Sequence, residues 1–212
     1  MKYFLVAVSI VTIALCPAIA DCDSCPEVRL LITAGEYDKA ASQLKKAIKA
    51  DKKSAEAHGL RAVCLAHLEE RKAAAKSLGE FLKLAPSTEL LEEVRIVFES
   101  RMAESVEGAI EFVVPQEVDP PFAILASKAN YPTVAAEVGL EGQVVLDAVL
   151  GVDGRAGRIE VRRLDNTPVD TIAGFEESAI NCLRRWRFFP AMKDGQPIAV
   201  NMSALISFRI IR

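Results

Sequence analysis

From residue 26 to residue 108 the apolar positions recur at three- and four-residue steps, and no proline falls between Pro26 and Pro86. The stretch is rich in Ala, Leu, Lys and Glu, so propensity and period both favour helix. Short interruptions at Ala34-Gly35, Asp51 to Ser54, Glu69-Glu70 and Pro86-Ser87 divide it. They predict helices over 26–34, 36–50, 54–69, 71–85 and 88–107. Ser54 and Ser87 stand where N-caps belong, and Glu89 places a negative charge in a first turn, where it complements the helix dipole.

After residue 141 the period shortens to two. Val144, Leu146, Ala148 and Leu150 share one face, and Gly151-Val152-Asp153-Gly154 is a turn signal. Ile159 and Val161 then alternate with Arg158, Glu160 and Arg162, which completes a β-hairpin. From Thr171 a helical stripe returns with Ile172, Phe175, Ala179, Leu183 and Trp186, and Cys182 lies beside it as a small buried apolar residue. Trp186 is read as core, and Arg184, Arg185 and Arg187 as a solvated helix end. Pro190 and an Asp194-Gly195 turn follow. Val200, Met202, Ala204, Ile206 and Phe208 then alternate with polar residues along one long strand. The order is β-β-α-β, a small antiparallel sheet with a helix over its apolar face. The fold class is therefore α+β, an N-terminal all-α array followed by a compact sheet domain. Between them, residues 109–122 read as a connector, with Pro115, Pro120 and Pro121 favouring extended chain.

The helical half repeats itself. Tyr37-Asp38-Lys39-Ala40 aligns with Arg71-Lys72-Ala73-Ala74, and Leu44, Ala47 and Ile48 align with Leu78, Phe81 and Leu82, at a constant offset of 34 residues. That spacing, with Gly35, Tyr37, Ala40 and Ala47 in the first unit and Ala62, Ala74 and Pro86 in the second, resembles the tetratricopeptide repeat. Two departures stand out. Arg71 replaces the second unit's tyrosine, and Glu69 stands where the first unit has Gly35. The resemblance implies stacked helical hairpins with a concave protein-binding face. The plainer reading is a packing platform for the second half.

The sheet half resembles the TonB C-terminal domain over about residues 119–212. The motifs occur in order: Tyr131-Pro132, Gly139-x-Glu141-Gly142-Gln143-Val144, Asp153-Gly154-Arg155, Arg185-Trp186-Arg187-Phe188-x-Pro190-Ala191, Asp194-Gly195, and a strand ending at Phe208. The resemblance implies a periplasmic domain that binds an extended segment of a partner, such as a TonB-dependent outer-membrane receptor or another envelope protein. It implies capture by strand addition along Ala199, Val200, Asn201, Met202, Ser203, Ala204, Leu205, Ile206, Ser207 and Phe208. Such a site needs only free backbone N–H and C=O groups, with Asn201, Ser203, Leu205 and Ser207 on the face away from the helix. The competing expectation is that this edge is blocked by the connector or pairs with a second copy as a homodimer. Functionally, a soluble adaptor with the helical array as a second contact surface is expected. The alternatives are a membrane-anchored energy transducer coupling the proton motive force to outer-membrane transport, and a structural scaffold.

The N-terminus bears on that choice. Lys2, an apolar run from Tyr3 to Cys16, Pro17 and Ala18-Ile19-Ala20 have the anatomy of a signal peptide at residues 1–20, cut between Ala20 and Asp21. The alternative is an inner-membrane anchor at residues 3–19, although the run is shorter than the roughly 20 residues of a spanning helix. The domain division is then 21–108 helical, 109–122 connector and 123–212 TonB-type, with a periplasmic location. There Cys22, Cys25 and Cys64 are candidate disulfide cysteines, and four mature cysteines allow three pairings. Cys22-x-x-Cys25 lacks the context of a redox motif.

The formal net charge of −3 removes the basic excess that nucleic-acid binding requires. His58 and His67 are nine residues apart on one helix, which is no metal-ligand spacing. Glu141, Asp147, Asp153 and Glu160 fall on strands or turns without a His, Cys or Ser partner in the sequence pattern. No enzyme activity, cofactor, metal or small-molecule substrate is therefore expected.

Overall fold

The computed structural model describes residues 25–103, 110–162 and 174–210. The signal segment, its cleavage residues and Cys22 lie outside the described residues. No helix among the described residues is long and apolar enough to cross a membrane.

Five helices open the chain: α1 (Cys25–Thr33), α2 (Tyr37–Ala50), α3 (Ala55–His67), α4 (Arg71–Lys83) and α5 (Thr88–Met102). Ser54 and Ser87 cap α3 and α5, their side chains accepting hydrogen bonds from the Ala57 and Leu90 amides. α3 is the central element, packed against α2, α4, α5 and α1. Its residues are accordingly small: Ala57, Gly59, Ala62, Cys64 and Ala66 are all buried. A Cβ on Gly59 would come within 2.8 Å of the Phe81 ring, so glycine sets how closely α3 and α4 approach.

The repeat is legible in the turns as well as the helices. Gly35 closes α1 at φ 77°, with Glu36 N–H donating to Leu31 O and Gly35 N–H to Ile32 O. At the equivalent place after α3, Glu69 adopts φ 59°, with Glu70 N–H donating to Leu65 O and Glu69 N–H to Ala66 O. Both turns are Schellman closures. The glutamate thus takes a left-handed backbone that glycine adopts without strain.

A four-stranded antiparallel sheet in the order β1-β8-β3-β4 dominates the second half. Its strands are β1 (Ile110–Val113), β3 (Gly142–Leu150), β4 (Ala156–Arg162) and β8 (Val200–Phe208). Helix α7 (Phe175–Arg185) covers the inner face, burying Ala179, Cys182 and Leu183 against Val144, Leu146, Met202 and Ala204. Trp186 is 5% exposed, and its Nε1–H donates to Ser127 O at 2.8 Å, so it belongs to the core. Phe175 and Phe208 meet with tilted rings at 4.6 Å, and Tyr131, just before the short helix α6 (Thr133–Glu137), meets both rings edge-on.

Four short strands join this sheet domain to the helices. β2 (Phe122–Leu125) pairs with β5 (Arg187–Phe189), and β6 (Ala191–Lys193) pairs with β7 (Gln196–Ile198). Phe189, Ile124 and Met192 enter a core shared with Leu78, Phe81, Leu91, Val94 and Phe98 of α4 and α5. Phe189 stacks on Phe122 at 5.3 Å. The β6–β7 turn closes against α5: a Cβ on Gly195 would lie 2.1 Å from Thr88, and Gln196 donates to the Thr88 hydroxyl. Arg71 donates to Met102 O and Ile124 O, tying α4 to α5 and β2. In the first unit the aligned Tyr37 instead stacks on His67 at 4.0 Å. The departure at position 71 therefore coincides with the contact between the two halves.

Within the expected connector, residues 110–122 do more than join the two halves. Ile110–Val113 form strand β1, Val118 is buried, and Asp119 exchanges two backbone hydrogen bonds with Met192. Alternation of Ile110 and Phe112 with Glu111 and Val113 lets the segment lie on the sheet with its apolar side inward.

Candidate partner-binding edge

Nine residues of β8 pair with nine of β3 in unbroken register, from Val200 opposite Leu150 to Phe208 opposite Gly142. Val200, Met202, Ala204, Ile206 and Phe208 point into the core, whereas Asn201, Ser203, Leu205 and Ser207 alternate with them on the other face. Ala199 lies between β7 and β8, outside both strands.

The far flank of β8 is not the open edge that was expected. β1 pairs with it, Ile110 opposite Ala204, Glu111 opposite Ser203, Phe112 opposite Met202 and Val113 opposite Asn201. The backbone groups of Asn201, Met202, Ser203 and Ala204 thus already face a strand of the same chain. A long regular edge is a hazard that folded proteins cover, and β1 does so here over four residues. Among the described residues, Leu205, Ile206, Ser207 and Phe208 have β3 alone as a paired neighbour.

The opposite edge of the sheet is a poorer template. β4 pairs with β3 through a register shift between Asp147 and Val149, and Arg158 sits at φ 43° within the irregular stretch. A bulge bends the strand and breaks the row of groups that an incoming strand would match.

A polar cluster crosses the outer face of the sheet. Arg162 on β4 donates to both carboxylate oxygens of Asp147 on β3 and to the Ser203 hydroxyl on β8, and that hydroxyl donates to Asp147 at 2.8 Å. The hydrogen bonds from Arg162 hold the Asp147 carboxyl below its ordinary range, with Ser203 adding to the effect. Asp147 also raises Arg162, and the negative charge of Glu111 on β1 adds to that. Sequence reading left Asp147 without a serine partner, because the pair forms only through the β3–β8 register.

Other expected residues are placed as follows. Cys64 is a free, buried thiol, which corrects its candidacy as a disulfide cysteine. Burial pushes it up to about 12. A core position in the crowded centre of α3 explains it. Cys182 is also free and buried, its thiol directed to Ser127 O. His58 is buried beside Lys52 O. His67 packs on Tyr37, and burial lowers its pKa, with Arg101 adding to the shift. Beside α7 lies an open cleft of about 560 Å³ lined by Tyr131, Thr133, Glu177, Asn181 and Arg185 among others.

Residues 127–210 match the family model described as Gram-negative bacterial TonB protein C-terminal. These residues are a TonB C-terminal domain. Protein TonB of Vibrio cholerae serotype O1 is 27% identical over 97 residues, 45% of this chain and 38% of that protein. Protein TonB of Escherichia coli K12 is 33% identical over 82 residues, 39% of this chain and 32% of that protein. The chain therefore spans about a third of the length of these curated relatives. The solution structure of the Pseudomonas aeruginosa TonB C-terminal domain is similar to 46% of this chain and 91% of its own, at 21% identity and a TM-score of 0.36. Within this chain, β8, β3, β4 and α7 fall inside the matched TonB segment. β1, β2 and the five N-terminal helices precede it.

Proposed function

We propose that this chain is a protein-binding adaptor of the cell envelope. It recognises an extended segment of an envelope partner, such as an outer-membrane receptor, by adding that segment as a strand along β8. One observation carries this reading: β8 pairs with β3 along one flank over nine residues, and its other flank already accepts an added antiparallel strand, β1. The partner's backbone would satisfy the β8 amides and carbonyls, and its alternate side chains would set specificity. The irregular β4 edge supports no equivalent pairing.

The tetratricopeptide-like array is proposed to hold the domain and to offer a second contact surface. Exposed Leu30 on α1 and Ile96 on α5 are candidates for that contact. The shared core from α4 and α5 to β2, β5 and β6 supports a fixed geometry between the two halves. The segment joining them is packed at β1, Val118, Asp119 and β2 and is not a free tether, which favours an adaptor over a device that reaches across the periplasm. Export by a signal peptide, with Asp21 as the mature N-terminus, is part of the same proposal.

The test is photocrosslinking in the envelope of living cells from Ser207 on β8 and from Glu160 on β4. Adducts from Ser207 that map to an extended stretch of one envelope protein, with none from Glu160, are expected. Adducts from Glu160 alone would refute the assignment of the edge. Mass spectrometry of the mature chain separates the adaptor from the anchored transducer, since an intact Met1 terminus in the membrane fraction favours the latter.

A further inference from the structure

We propose that β1 is an internal stand-in for the partner strand, so that binding proceeds by exchange and the sequence of β1 is the template of what is bound. This rests on the strand-addition reading of β8. The occupant it assigns is an extended partner segment running antiparallel to β8, with an aliphatic, an acidic and an aromatic residue in succession.

The template follows from how Ile110-Glu111-Phe112-Val113 is seated. Phe112 lies opposite Met202 and meets the Phe188 ring edge-on at 6.0 Å. Ile110 and Val114 pack against the same core. Any strand that replaces β1 must therefore refill two inward positions two residues apart, one aliphatic and one aromatic. Otherwise Phe188 and its neighbours are left exposed to water. Between them Glu111 lies opposite Ser203, on the face where Ser203, Asp147 and Arg162 are joined by hydrogen bonds, and its charge acts favourably on Arg162. A basic residue at that position would oppose Arg162.

Exchange is feasible because β1 is only half-buried. Its residues 110–113 cover Asn201 to Ala204. An incoming segment can displace β1 residue by residue from its exposed end. Val113 is 64% exposed, so the trailing end of β1 is weakly held. β1 also precedes residues 127–210, the segment that matches the TonB domain, and so belongs to this chain's own approach to that domain. A docked β1 reduces the apparent affinity for a partner by the fraction of molecules in which the edge is free.

The experiment uses the full mature chain and a synthetic peptide of the sequence of residues 109–114, Ala-Ile-Glu-Phe-Val-Val, carrying a fluorophore and a photocrosslinker. In the double variant Glu111→Cys with Ser203→Cys, oxidation ties β1 to β8 and reduction releases it, with the wild-type chain given the same treatments as control. Binding is expected in the reduced form and absent from the oxidised form. The variant Phe112→Ser, with fold checked by Trp186 fluorescence, is expected to bind about tenfold or more tighter than wild type. A peptide with its Glu changed to Lys is expected to bind more weakly. Equal binding by oxidised and reduced forms, with crosslinks still on β8, would overturn the exchange while leaving strand addition intact. Crosslinks on β4, or no binding by a folded Phe112→Ser chain, would overturn both. A Phe112→Ser chain that dimerises and takes up no peptide would assign the edge to a second copy and overturn the proposal.

Discussion

Replacing Phe189 by Ala tests the joint between the two halves. Phe189 is fully buried, stacked face to face on Phe122 at 5.3 Å and tilted against Phe98 of α5 at 6.3 Å. It contributes to the core that also holds Leu91, Val94 and Phe81. Truncating a buried phenylalanine to alanine costs about 3–5 kcal/mol, from lost transfer energy and the cavity left behind. Two aromatic contacts place this site toward the upper end, since such pairs are worth ~0.5–1.5 kcal/mol each beyond burial. Total stabilities are typically about 5–15 kcal/mol, so the loss is a large share. The assay is equilibrium denaturation followed by two signals. Far-UV circular dichroism reports mainly the helices, and the fluorescence of Trp186, the chain's single tryptophan, reports the sheet domain. Wild type is expected to give coincident transitions, because the halves share a core. The Phe189→Ala chain is expected to lose about 3–5 kcal/mol, with the two signals separating. A loss below about 1 kcal/mol, or wild-type transitions that are already separate, would refute the shared-core argument.

Three further outcomes are expected. Glu69→Gly relieves a left-handed residue in the α3 closure and should stabilise the chain by up to about 1 kcal/mol in the same denaturation assay. A loss of stability would mean that the Glu69 side chain matters more than its backbone. The Asp147 carboxyl is held low by Arg162, so its contribution is complete above the ordinary carboxylate range and is lost as pH falls through the depressed value. Asp147→Asn should therefore flatten the acid limb of a stability-against-pH profile and leave the neutral limb parallel to wild type. Cys64, pushed up to about 12 by burial, should resist thiol reagents at pH 8 in the native chain and react at once on unfolding, as read by mass spectrometry of the modified peptide. Rapid native labelling of Cys64 would place α3 nearer the surface than its packing allows.

Much of this fold was legible because burial imposes a period. The stripe through Phe175, Ala179, Leu183 and Trp186 marks α7 and its inner face, and the alternation from Val200 to Phe208 marks β8 with both faces correctly divided. Caps at Ser54 and Ser87 were readable because a hydroxyl before an apolar run has few other uses. β5, β6 and β7 escaped notice because three residues hold no period. β1 escaped for a different reason. Ile110-Glu111-Phe112 does alternate, but prolines downstream suggested an extended connector, and its partner lies some ninety residues later in the chain. The Asp147–Arg162–Ser203 cluster joins three strands, so only the register brings it together. The clasp made by Arg71 was visible only as a break in a repeat, a tyrosine position filled by a cation. Its reason is the carbonyls of Met102 and Ile124, which the repeat pattern does not contain.

Amide hydrogen exchange on the full chain, with and without the Ala-Ile-Glu-Phe-Val-Val peptide, addresses the role of β8 most directly. When the peptide is added, the amides of Ile110 to Val113 should lose protection as β1 leaves, while those of Asn201 to Phe208 stay protected or gain protection under a new strand. Protection that is unchanged in both strands while the peptide is bound would contradict the account, because the segment would then have docked somewhere other than the β8 edge.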